Sequence, residues 1–213
     1  MKTTDLISML ATGIGVEPEI SQHRRFGAAS VTGIVLASIL MLASIHINPE
    51  IYSALLSWKF WVKLGFVAAM ALVSFNLLSK LSRPGSRINF QLVGLLFPVV
   101  AMWLLSALIL LKADSPERES LIFGQTWAVC PFLISMLSVP VFISTLWAMR
   151  EAAPTRLKLT GAVVGLFSGA MGAAVYCFHC PELEAPFISI WYLLGMLIPT
   201  AIGALWGEKF LRW

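Results

Sequence analysis

Two cysteines, a histidine and a glutamate fall within Cys177-Phe178-His179-Cys180-Pro181-Glu182. A third cysteine sits in Gln125-Thr126-Trp127-Ala128-Val129-Cys130-Pro131. Cys177, His179 and Cys180 are three soft donors within four residues. Thiolate and imidazole suit zinc, copper(I) and similar ions. Cys130 can complete such a site if its segment lies beside the other, while Glu182 and Glu184 are oxygen donors of lower preference. The same residues allow thiol redox chemistry. A disulfide can close between Cys130 and Cys180 or within Cys177-x-x-Cys180, and an oxidising compartment would favour it. The bland reading also stands, because free cysteine is often a small, inert, buried apolar residue. No Ser-His-Asp set or acidic metal cage is visible in the remainder of the chain.

The elements that must position these thiols are membrane spans. Of 213 residues, 58% are hydrophobic and only 12% charged, about half the charged share of a soluble domain. Mean hydropathy is +0.84. One water-soluble core cannot absorb so much apolar surface. The expected fold is all-α, a polytopic bundle of six transmembrane helices. The apolar stretches run 26–47, 60–78, 91–111, 127–149, 159–178 and 188–207, each near the ~20 residues a bilayer core requires. They must be helices, since backbone polar groups in lipid need partners within the segment. The net charge of +4 follows from basic loops and does not point to direct nucleic-acid binding.

Orientation follows from lysine and arginine, which collect in cytoplasmic loops. With the N-terminus inside, eleven of the fifteen lie inside; Lys59, Lys63, Lys112 and Arg118 lie outside. Both termini are therefore expected in the cytoplasm, with all three cysteines at the outer ends of spans. No Asp, Glu or Arg stands mid-span, which argues against ion-coupled transport. Lys63 is expected to snorkel from the outer end of its span to water. Gly161, Gly165, Gly169 and Gly172, with Gly203 and Gly207, form small-residue stripes that allow close helix approach, mostly within the chain. Pro98, Pro140 and Pro199 each remove a backbone hydrogen bond inside a span.

Residues 1–25 carry Asp5, Glu17, Glu19, His23, Arg24 and Arg25 and do not follow the pattern of a secretory signal, so they are expected to remain on the mature protein. They form an expected cytoplasmic tail ahead of a transmembrane domain over 26–213. Thr3-Thr4-Asp5 can cap a helix of about ten residues, ended by Gly13 and Gly15. Leu6 and Leu10 share one face at i,i+4 spacing. So short a helix is marginal alone in water. It is either a leader on the bilayer surface or a docking peptide, with Asp5, Leu6, Ile7 and Leu10 as the contact residues.

Several of these segments resemble the NrsF family of bacterial membrane anti-sigma factors. They are Met1-Lys2-Thr3-Thr4-Asp5-Leu6-Ile7, Gln125-Thr126-Trp127-x-x-Cys130-Pro131, Ala153-Pro154-Thr155, His179-Cys180-Pro181-Glu182, and Trp191-Tyr192-Leu193-Leu194-Gly195-Met196-Leu197-Ile198-Pro199. The resemblance spans essentially the whole chain. It implies a multi-pass protein of the inner membrane, not an enzyme, that holds an extracytoplasmic-function sigma factor. It also implies that Cys130 and Cys180 sense heavy metals, with a soft metal ion as inducing ligand and no obligatory cofactor. Cys177 lies outside the family pattern. Two readings compete with it. One is a membrane thiol oxidoreductase that passes electrons from Cys177 and Cys180 toward a quinone; such a relay usually wants a fourth cysteine. The other is a metal-binding membrane protein without a regulatory partner.

Overall fold

The computed structural model describes residues 3–12, 19–82, 89–152 and 154–212. Among them there are helices and turns and no strand. The elements are α1 (Thr3–Thr12), α2 (Glu19–Ser44), α3 (Ile51–Leu56), α4 (Trp58–Leu81), α5 (Asn89–Lys112), α6 (Ser115–Phe123), α7 (Cys130–Glu151), α8 (Leu157–Tyr176), α9 (Ala185–Phe187), a π-turn (Ile188–Tyr192) and α10 (Leu193–Leu211). Among the described residues, six segments are long and apolar enough to cross a membrane: Arg24–Ser44, Trp58–Leu81, Val93–Lys112, Cys130–Glu151, Leu157–Tyr176 and Ala185–Leu211.

Several boundaries differ from those read in the sequence. The fourth span starts at Cys130, not Trp127, because residues 124–129 are turns. Gly124 has φ +52° there, and Pro131 occupies the first turn of α7, where its missing N–H costs nothing. The fifth span stops at Tyr176, which leaves Cys177 as its cap and Cys180 in the following turn. Helix α2 begins at Glu19 and runs through the expected 25/26 boundary without a break. The polar turn ahead of its apolar run propagates the helix outward at little cost.

Helix α8 is the hub. It packs against α10, α7, α4 and α2, and most of its residues from Thr160 to Tyr176 are buried. Small side chains make this feasible. A Cβ on Gly161 would run into the Gly203 carbonyl, and one on Gly165 into the Pro199 carbonyl. At Gly169 it would lie 2.8 Å from Met196 Cα. Gly172 turns the other way, toward α7, where a Cβ would lie 2.8 Å from the Ile134 carbonyl oxygen. The stripe thus interlocks α8 with α10 backbone to backbone and seats α7 on its other side. Gly33 repeats the device on α2, with Val141 Cα of α7 at 2.7 Å from a built Cβ.

The outer shell is apolar. Val35, Ile39, Phe97, Leu104, Phe132, Ile143 and Leu205 are all exposed, a surface that water would not tolerate and lipid would. Several buried serines are satisfied within their own helices, as Ser74 Oγ donates to Met70 O, Ser106 Oγ to Met102 O and Ser168 Oγ to Val164 O.

Candidate functional site: a thiol pair in a clamped turn

The segment after α8 is drawn into every neighbouring element at one end of the bundle. Its first turn continues the helix, with Cys177 N donating to Ala173 O and Cys180 N to Tyr176 O. Asn48 N, beyond α2, donates to Phe178 O at 3.2 Å. His179 Nδ1 bonds to His46 O at 2.9 Å. A carbonyl only accepts, so the ring proton is on Nδ1. Glu182 Oε1 accepts from Gln125 N at 2.7 Å. Glu184 pairs with Lys59 of α4. The turn that carries Cys180 is therefore held by α2, α4 and the loop that leads into Cys130.

Gly124 shows why that loop takes its course. Its left-handed φ favours glycine, and a Cβ there would lie 2.7 Å from the Glu182 carboxylate. An aromatic group holds the rest. Trp127 and Trp191 have ring centroids 5.2 Å apart, with Phe123 against both, and Trp191 Nε1 donates to Ile122 O at 2.8 Å.

These constraints bring Cys130 and Cys180 together. Both are buried, at 0% and 3% exposure, and both are free thiols. They lie within hydrogen-bonding reach of each other. The Tyr176 hydroxyl lies beside the pair. The Tyr192 hydroxyl, fully buried, has no hydrogen-bond partner among the described residues and faces the sulfurs of Cys177 and Cys180. Tyr192 ends the π-turn, an irregularity often placed at functional sites.

Lys63 requires a correction. It is 0% exposed and does not reach water. Its Nζ donates to Cys180 O at 3.0 Å and Glu182 O at 2.9 Å, and lies 5.0 Å above the Tyr192 ring. Bonding to two carbonyls satisfies it inside the bundle, so it has no need to snorkel. Lys59 and Lys63 are one helical turn apart and face the same turn. That spacing is the signal the sequence carries for Lys63, whereas Tyr176 and Tyr192 stand in apolar runs with nothing to mark them.

The local field separates the cysteines. The hydrogen bond from Cys130 chiefly lowers the Cys180 thiol well below its ordinary range, against the opposing effect of burial; the Lys63 charge, Tyr192 and the Glu182 backbone N–H add to the lowering. Burial pushes Cys177 up to about 11, with Lys63 opposing. The pair is thus Cys130 and Cys180, and Cys177 stays a protonated neighbour. His179 is tied to His46 and both acids are committed elsewhere. Among the described residues no three His, Cys, Asp or Glu side chains are grouped to hold a metal ion. Two facing thiols suit a soft ion that accepts few ligands.

At the opposite end of the bundle, Arg25 of α2 pairs with Glu151 of α7 at 3.2 Å. Beside them lies an open cavity of about 420 Å³ lined by Ala28, Ala29, Thr32, Ser144, Trp147 and Ala148. Of the tail residues, Asp5 and Ile7 are exposed on α1. Leu6 and Leu10 lie on the same helix, and their side chains fall outside the described residues.

The described residues thus form a helical bundle with six segments apolar enough to span a membrane, a clamped thiol pair at one end and a short helix ahead of the first span. Residues 10–213 match the family described as negative regulator of sigma F, NrsF, and the chain belongs to that family. It is 49% identical over its full length, and that of the relative, to a protein of Azospira oryzae named probable anti-sigma-F factor NrsF. It is 35% identical, again over the whole of both chains, to the anti-sigma-F factor NrsF of Caulobacter vibrioides. No solved structure matches significantly.

Proposed function

We propose that the chain is an inner-membrane anti-sigma factor. It holds an extracytoplasmic-function sigma factor through residues 1–25 and releases it when Cys130 and Cys180 bind a soft metal ion or are oxidised. Family membership and the names of its full-length relatives support the anti-sigma role. The excess of basic residues on the tail side supports placing both termini in the cytoplasm. The observation that carries the sensing role is the meeting of one thiol at the start of α7 and another in the turn after α8 in one buried, clamped site.

The fold suggests a route between thiols and tail. Helix α7 begins at Cys130 and ends at Glu151, which grips Arg25 at the tail end of α2. The α8–α10 interface is interlocked through glycines, so α8 is not free to slide. The cavity beside Arg25 and Glu151 leaves α7 room to shift against α2. A ligand that draws Cys130 toward Cys180 favours one seating of α7, and the tail follows. Turning such a switch from 1:99 to 99:1 requires about 5.5 kcal/mol of differential binding, within the reach of a thiolate–metal site.

The test is an affinity pull-down of tagged, detergent-solubilised protein from its host, with and without residues 1–25 and with and without a soft metal. Capture of a sigma factor only with the tail present, and its loss on adding metal, is the expected result. If no sigma factor is captured under any condition, the anti-sigma reading fails. If metal releases it equally from Cys130→Ser and Cys180→Ser proteins, the thiol reading fails.

A further inference from the structure

We propose that Lys63 is the positioning residue of the thiol pair: its ammonium group holds the 180–182 turn by the backbone so that the Cys180 sulfur is presented to Cys130. The role rests on reading Cys130 and Cys180 as the working pair.

A lysine inside a span is costly, because a buried charge gives up its hydration. Lys63 is fully buried, and no carboxylate among the described residues forms an ion pair with it. Glu184 pairs with Lys59 instead, and the Glu182 carboxylate faces Gln125. What Lys63 does hold is backbone. Two of its three N–H groups donate to the carbonyls of Cys180 and Glu182, and the ammonium rests on the Tyr192 ring. Glu182 is thus gripped at both ends. Its carbonyl is fixed to α4 through Lys63, and its carboxylate is fixed to the loop that delivers Cys130. Together these contacts set the separation of the two sulfurs. Lys59 ties the same segment to α4 farther from the thiols, so it serves as the control. A lysine placed only for stability would touch the turn at any point; this one bonds to the cysteine itself and to the residue that bridges to its partner.

The test uses the full-length protein in detergent. Diamide closes the disulfide: the two thiols give two protons and two electrons to its N=N bond, a hydrazine forms, and the sulfurs join. Linked peptides identified by mass spectrometry give the rate of Cys130–Cys180 closure. Equilibration with glutathione gives the potential. Lys63→Met is expected to slow closure about tenfold. The matching tenfold loss of effective concentration makes the potential about 30 mV less negative. Lys59→Met is expected to match wild type in both. Wild-type rate and potential in folded Lys63→Met protein would overturn the role of Lys63 while leaving the pair intact. Failure of the wild-type chain to form this disulfide would remove the pair itself and the role with it. If Lys63→Met does not accumulate, lysine acetylation of the native wild-type protein decides. Protection of Lys63 relative to Lys59 is expected, and equal labelling overturns the proposal.

Discussion

Cys177 and Cys180 are three residues apart and chemically unlike. Burial holds Cys177 as a thiol up to about 11, against an ordinary thiol value of 9.0. An unfolded chain would release that proton first, so Cys177 withdraws stability as pH rises from 9 toward 11. Cys180 is shifted the other way, toward the thiolate. A short pulse of maleimide on the native protein at neutral pH is therefore expected to label Cys180 ahead of Cys177, with Cys177 gaining about tenfold in rate per pH unit below its pKa. Mass spectrometry of the labelled peptides reads both, and labelling of Cys177 first would contradict the assignment. In a reporter assay of sigma activity, Cys130→Ser or Cys180→Ser is expected to abolish the response to soft metal, and Cys177→Ala to retain it. Spacing alone leaves these three cysteines equivalent in kind, since Cys-x-x-Cys offers Cys177 and Cys180 as readily as neighbouring spans offer Cys130 and Cys180; the family resemblance singles out the latter two. What separates them in the structure is Lys63, together with Tyr176, Tyr192 and a turn held from three directions, which spacing does not reveal.

Among the elements, the apolar runs were legible because each is close to the ~20 residues that cross a bilayer core. All six recur as helices. The short helices α3, α6 and α9 were not read, since segments of 3 to 9 residues are too brief to show a period. The glycine stripes were legible as packing surfaces, but not their partners, which only the contact of α8 with α10 supplies. Gly203→Leu is expected to lower the melting temperature in detergent, as overpacking costs about 1–3 kcal/mol and backbone offers no room to yield. Gly27→Ala, where nothing lies within 4 Å of an added Cβ, is expected to leave it unchanged or slightly raised. The Arg25–Glu151 pair behaves differently. Its side chains are 55% and 47% exposed, so it is worth at most about 1 kcal/mol. Glu151→Arg should thus leave stability near wild type yet alter retention of the sigma factor in the pull-down. Combination with Arg25→Glu should restore it. Loss of folding in the single variant would show that the pair is structural instead.

At the scale of the whole molecule, the proposed function assigns the two ends of the bundle separate tasks joined by α7. A reporter that folds only outside the cytoplasm is expected to be inactive when fused after Trp213 and active when inserted after Glu119; the reverse would invert the topology. The clamped turn has a further consequence for how the protein is made. The His179–His46 bond joins residues 133 apart in sequence, and Tyr192, which covers the thiols, belongs to the last span. During synthesis Cys130 emerges long before the partner that shields it, and the site cannot close until the final helix has entered the bundle. A chain cut short in its last span would leave these thiols uncovered and open to stray oxidation. If the thiols sense as proposed, completion of translation is built into the maturation of the sensor, and only a chain that includes its last span is insulated from the signal until it comes.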